Sequence, residues 1–203
     1  MTCRSVVLTV LSESTAVPVT YKHNIWNSFK TVLAVVALLW ALLLVGYVVP
    51  LSEFGILPRT VRGLPGILLA PFIHAGFDHL IANSVSLLIL GSIFLTMEKK
   101  LSAVIMLQFI ILSGFGTWLI GRAGYPHIGA SGVIYAILGY LLTTGIFTRN
   151  IKAIIVSILV FFLYGGAVWG IFPAGGFVSW EYHLCGFIAG IVTAKMYAAR
   201  SRQ

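Results

Sequence analysis

Six apolar stretches, each about as long as a bilayer is thick, dominate this chain and leave little room for another architecture. A helix needs about 20 mostly apolar residues to cross the hydrocarbon core. Such runs lie at about Ser28–Val49, His79–Met97, Leu101–Gly121, Ser131–Phe147, Ala153–Phe172 and Tyr182–Ala199. The expected fold is an all-α membrane protein, a bundle of six transmembrane helices. Only 9% of the 203 residues are charged and 59% are apolar, whereas soluble domains carry about 25% charged residues. A soluble fold could not cover its surface with so little charge. Disorder is excluded by the abundance of Leu, Ile, Val and Phe. A disulfide scaffold is excluded because there are only two cysteines, Cys3 in the tail and Cys185 in an apolar run.

Three parts follow. Residues 1–27 form a short polar tail, residues 28–199 the membrane domain, and residues 200–203 a second tail. The apolar run Val6–Leu11 is too short for a signal-peptide core. No repeat, low-complexity tract or separate soluble domain is evident, so any chemistry belongs to the bundle and its loops. The net charge of +8 does not point to nucleic acid, because the basic residues form no stripe. They read instead as topology signals. Arg4, Lys22, Lys30, Lys99, Lys100, Arg149, Lys152, Lys195, Arg200 and Arg202 fall on one side, and only Arg59, Arg62 and Arg122 on the other. The richer side is expected to be cytoplasmic, with both termini on it. The second, fourth and sixth helices then enter from the outer face.

Two outer segments are unusual. Leu51–Asp78 is long for a loop in a compact bundle, and its apolar part, Leu64–Phe72, is expected in the membrane interface. Pro173–Ser179 contains a Pro and paired Gly and is expected to be a mobile loop.

Polar groups in spanning helices are costly and mark function by default. Here they fall into three clusters: His74-x4-His79-x3-Asn83, Gly129-Ala-Ser131-Gly132 and His183-x2-Gly186-x3-Gly190. All three lie at the N-terminal ends of the even-numbered helices, which the charge pattern puts in one leaflet. His79 and Asn83 are four residues apart and share a helix face. His183, Gly186 and Gly190 share another, and Gly132, Ala136 and Gly139 make a matching small stripe. Small residues let helices approach closely in lipid. If those faces meet, His183 comes near Ser131, and a hydroxyl beside an imidazole is the minimal activated nucleophile. The fourth run is roughly 26 Å long at about 1.5 Å per residue. Ser131 is therefore expected just below the outer surface, where hydrolysis needs a water-filled cavity.

These motifs, in this order on these helices, resemble the rhomboid family of intramembrane serine proteases, and the compact six-helix bacterial members most. The resemblance covers about Leu64–Ala198. It implies Ser131 as nucleophile and His183 as general base, with His79 and Asn83 stabilising the oxyanion together with the Ser131 N–H. It implies that Tyr135 packs on the catalytic imidazole, that Gly129 allows the turn before the serine, and that His74 braces the loop before the second helix. The family uses a Ser–His dyad, and the chain agrees. Its only Asp is Asp78, and Glu181 is two residues from His183, a spacing that does not share a helix face. The implied substrates are single-span membrane proteins, cut in or beside their transmembrane segment. The implied setting is a bacterial inner membrane, with the site facing outward. No cofactor is implied.

The chain departs from the family in one place. Many members carry Trp-Arg in the loop before the second helix, and this sequence has Val61-Arg62, which leaves the packing of that loop open. Outside the motifs, His127 reads as a solvated loop residue and His23 as a tail residue. Tyr164, Trp169, Phe177 and Trp180 read as interface aromatics, with a secondary gating role between the second and fifth helices. A zinc site on His74, His79 and His183 is the rival enzyme reading, but there is no His-Glu-x-x-His motif and no suitably placed carboxylate. A Gly-x-Ser-x-Gly elbow fails at Val133. The non-enzymatic alternatives are a rhomboid-like protein that binds membrane helices without cutting them, and a transporter. The one-sided polar residues and the lack of an inverted repeat argue against transport.

Overall fold

The structure is a computed structural model and describes residues 25–173, 176 and 178–200. Most of the N-terminal tail lies outside these residues, as do Cys3, His23 and Ala174, Gly175 and Phe177 of the loop before the last helix. The described chain is helical. Its main helices are α1 (Ile25–Gly46), α2 (Phe77–Met97), α3 (Ser102–Ile120), α4 (Ser131–Thr148), α5 (Ile151–Ile171) and α6 (Trp180–Arg200). Among the described residues, α1 to α5 are each long and apolar enough to cross a membrane. α6 is as long, but Glu181, His183 and Lys195 lower its hydropathy. The chain is a multi-pass integral membrane protein.

The apolar runs become helices within a few residues of their expected ends, with two local departures. α2 passes through a π-helical turn at Leu87–Gly91. α5 is α-helical only to Tyr164 and then tightens into a 3-10 helix over Gly165–Ile171. α4 and α5 are joined by Arg149, in the left-handed region at φ 55°, and Asn150, whose side chain caps α5 by accepting from the Lys152 and Ala153 N–H groups.

Of the five apolar spans, α4 is the most buried and α5 the least. α4 runs through the centre. Its glycine stripe lies directly against that of α6. A methyl group at Gly186 would overlap the Gly132 carbonyl, one at Gly190 the Ala136 carbonyl, and one at Gly139 the Phe187 carbonyl. The two helices thus touch backbone to backbone, as small residues permit. Midway along α4, Tyr140 packs edge-on to Phe94 and Phe109 and donates to Glu98 at 2.6 Å.

α1 and α5 are pinned by side-chain hydrogen bonds. Trp40 of α1 donates to Ser84 of α2 at 3.2 Å, and Thr96 donates to Ser28 at 3.0 Å. Ser157 of α5 donates to the Leu141 carbonyl at 2.7 Å and accepts from the Gly145 N–H at 3.2 Å. Those two α4 groups are four residues apart, the spacing of a normal helical bond. The Ser157 hydroxyl therefore sits inside the backbone ladder of α4 and staples the first half of α5 to it.

The long segment between α1 and α2 is a series of tight turns folded against α3. Without a Trp ahead of Arg62, it takes its anchors from α3. Trp118 donates to the Thr60 carbonyl at 2.8 Å, and Arg59 donates to the Leu119 and Gly121 carbonyls at 2.9 and 3.0 Å. The last carbonyls of a helix lack intrahelical donors, so Arg59 satisfies groups that would otherwise go unpaired. Arg62 itself forms only an exposed ion pair with Glu53.

Candidate active site

The site forms where the N-terminal ends of α2, α4 and α6 converge. Gly129, just ahead of α4, has φ 115°, a region L side chains rarely adopt. A methyl group there would also collide with the His79 imidazole. Conformation and space both demand glycine, and the result is that His79 lies against the chain that leads into Ser131. Two bonds hold that chain. The Gly129 N–H donates to the Ala70 carbonyl at 2.9 Å, and the Ala130 N–H donates to His74 Nε2 at 3.3 Å. The Ser131 N–H is the first donor of α4 and has no carbonyl one turn below it.

Beside this chain lies a cavity of about 660 Å³. Ser131, His183, His79, Asn83 and Tyr135 all line it. Among the described residues no hydrogen bond joins Ser131 to His183. The His183 ring stacks on Tyr135, centroids 4.1 Å apart and planes within 8°. Its Nδ1 meets the Gly170 carbonyl oxygen at 3.0 Å. A carbonyl can only accept, so Nδ1 carries the proton and Nε2 keeps its lone pair. The Asn83 Nδ2 donor is buried with no partner among the described residues. An unpaired buried donor is costly, so a cavity with one on its wall is prepared for an acceptor.

The cavity reaches past Ser86 and Leu90 of α2 and Tyr164 and Ala167 of α5. It thus extends from the loops before α4 and α6 down between α2 and α5. Gly186 and Gly190 lie below it on the α6 face against α4. His74 sits behind it, buried, with its ring 5.1 Å from that of His79. Burial first, and then the neighbouring His79, push the His74 pKa down to about 4.

Comparison with known proteins adds the family. Residues 62–200 match the sequence model of the Rhomboid domain. The chain belongs to the rhomboid family. An uncharacterized protein of Mycobacterium tuberculosis is 41% identical over 186 residues, covering 85% of this chain and 76% of the relative. An uncharacterized protein of Mycobacterium leprae is 39% identical over 186 residues, covering 85% and 72%. RHOMBOID-like protein 1 of Arabidopsis thaliana is 29% identical over 138 residues, covering 64% and 33%.

Two parts of this rhomboid's site differ from the sequence reading. His127 is not a solvated loop residue but is 1% exposed. Its backbone pairs with that of Ile56 in both directions, at 3.0 and 2.9 Å. Its ring bridges the Ser179 hydroxyl and the Arg122 carbonyl, and burial pushes its pKa down. The second difference is Arg122, which stands in the sequence only as a topology charge. It pairs with the buried Glu181 carboxylate and donates to the Val178 carbonyl at 2.7 Å. Together, Arg122 and His127 clamp the loop before α4 to the loop before α6 at the mouth of the cavity. Nothing local to Arg122 or Glu181 signals this pairing, because the partners are 59 positions apart. Tyr164 also belongs to the cavity wall, whereas Trp169 is exposed.

Proposed function

We propose that this rhomboid is an intramembrane serine endopeptidase working through a Ser131–His183 dyad. The observation that carries the reading is the shared cavity. It combines a hydroxyl, an imidazole with a free Nε2 lone pair, and a buried, unpaired amide donor. In the proposed reaction His183 Nε2 takes the Ser131 proton as Oγ attacks the scissile carbonyl. The oxyanion is held by Asn83 Nδ2, His79 and the Ser131 N–H, each side-chain donor contributing roughly 10²–10³ in rate. The C–N bond then breaks, and His183 returns the proton to the leaving amine. Water, deprotonated by the same Nε2, hydrolyses the Ser131 ester and releases the new carboxyl end. Tyr135 holds the ring from its face, Gly129 and His74 shape the approach to Ser131, and Gly186 and Gly190 set the α4–α6 distance.

The substrate is a single-span membrane protein that enters between α2 and α5. A helix hides its carbonyls in its own backbone bonds, so substrates with helix-breaking residues near the cut are favoured. α6 serves as the sixth span, both termini face the cytoplasm, and the cavity opens outward from a bacterial inner membrane.

The test is incubation of purified protein, in detergent and in liposomes, with a model single-span substrate. Ser131→Ala runs beside the wild type, and product ends are read by mass spectrometry. Cleavage by the wild type alone, near the outer membrane boundary of the substrate, is expected. Cleavage by Ser131→Ala would sink the nucleophile assignment. No cleavage, together with no labelling of Ser131 by a fluorophosphonate, would favour a rhomboid-like protein that binds membrane helices without cutting them.

A further inference from the structure

We infer that the backbone carbonyl of Gly170, in the last turn of α5, orients the catalytic base. The inference rests on the protease reading above. In a Ser–His–Asp triad a carboxylate on Nδ1 fixes the tautomer and steadies the imidazolium. No carboxylate does so here. Glu181 is occupied by Arg122 through its side chain and its N–H, and Asp78 lies at the start of α2. Among the described residues, the one acceptor on His183 Nδ1 is the Gly170 oxygen, at 3.0 Å.

The position is built for this contact. A methyl group on Gly170 would strike the Tyr135 hydroxyl and stand 3.5 Å from His183 Nδ1. Only glycine lets the α5 backbone come this close to the stacked pair. The Tyr135 hydroxyl donates to the Ala167 carbonyl at 2.8 Å, one turn away. Both members of the stack are thus tied to carbonyls of the same 3-10 segment. That segment begins with Gly165 and Gly166, and a methyl group at Gly166 would meet nothing within 4 Å. The first half of α5 is stapled to α4 by Ser157. The second half is held to the site by these two bonds, so its seating and the orientation of His183 are one event.

A neutral carbonyl is a weaker partner than a carboxylate. Its loss is expected to lower kcat by about 10- to 100-fold, the effect of one hydrogen bond to a charged group. KM is expected to change little.

The experiment has two arms. The first is nitrogen NMR of the full protein, labelled at histidine and purified in detergent, with His183 assigned by its loss in His183→Gln. The Nδ1–H tautomer is expected in the wild type, and its loss or averaging in Gly170→Ala. The second is kinetics on Gly170→Ala, with Gly166→Ala as control, each alone and with Tyr135→Phe. Gly166→Ala is expected to match the wild type. The kcat penalty of Gly170→Ala is expected to shrink severalfold beside Tyr135→Phe, which removes the hydroxyl in its way; such coupling marks direct contact. A His183 held as the Nε2–H tautomer in a wild type that labels with fluorophosphonate overturns this inference but spares the protease reading. An equal penalty in both backgrounds overturns it too. A wild type that neither labels nor cleaves removes the protease reading, and this inference with it.

Discussion

Acid should loosen this protein through His74, and the size of the effect follows from where the ring sits. His74 is buried beside His79, and its pKa falls from 6.5 to about 4. In the unfolded chain it titrates near its ordinary value. Between those two values the unfolded state binds the extra proton and the folded state does not, so stability falls as pH falls. It is fully present above about pH 6.5 and lost progressively towards pH 4. At roughly 1.4 kcal/mol per unit, the window corresponds to about 3 kcal/mol. The structural reason is specific. Protonated Nε2 can no longer accept from the Ala130 N–H, and the chain leading into Ser131 loses one of its two backbone braces. The assay is reversible unfolding in mixed micelles at pH 7, 5.5 and 4, on the wild type and His74→Gln. Gln offers an acceptor near the place of Nε2 and does not titrate in this range. The variant is expected to start somewhat less stable at pH 7 and to lose about 3 kcal/mol less on acidification. His127 titrates in both proteins, so only the difference between the two curves counts. Parallel curves would refute the reasoning.

Three other predictions concern packing. Gly186→Ala places a methyl group on the Gly132 carbonyl; it is expected to cost about 1–3 kcal/mol, as overpacking does, and to reduce fluorophosphonate labelling of Ser131. Tyr140→Phe removes a bond to Glu98; thermal melts should show a loss of about 1–3 kcal/mol, with labelling of the folded fraction unchanged because neither residue lines the cavity. Arg122→Met strands a Glu181 carboxylate that is 1% exposed, whereas Glu181→Gln frees an arginine that can reach water. The first should lower the melting temperature more than the second, because an unpaired buried charge is the costlier defect; the reverse order would contradict the clamp.

The spans and motif residues were legible because lipid imposes a one-dimensional rule. Apolar length predicts each helix, and His79, Asn83, Ser131 and His183 stand out against it. Charge counts and helix spacing were enough to bring three clusters to one end. Other features depend on partners far along the chain. Nothing local to Gly170 or Ala167 says that their carbonyls face Tyr135 and His183. The burial of His127 follows from strand-like pairing with Ile56 and contact with Ser179, which a loop composition does not reveal. The insertion of Ser157 into the α4 ladder is equally hidden, since a serine in a spanning helix usually bonds to its own helix.

The backbone contact between α4 and α6 also decides how this protein should respond to the bilayer around it. A membrane of the wrong thickness strains a protein by tilting its helices. α4 and α6 interlock carbonyl against Cα at Gly139, Gly186 and Gly190, and the buried Tyr182 ring packs flush on Gly132, so the pair has little room to slide. They must therefore tilt together, and the groups carried on their N-terminal ends keep their spacing. The adjustment falls to the loosely packed α5, whose 3-10 half is tied to the site by two hydrogen bonds. If the chain is the protease proposed above, thin and thick bilayers should consequently change turnover while leaving Ser131 equally reactive once α5 is seated.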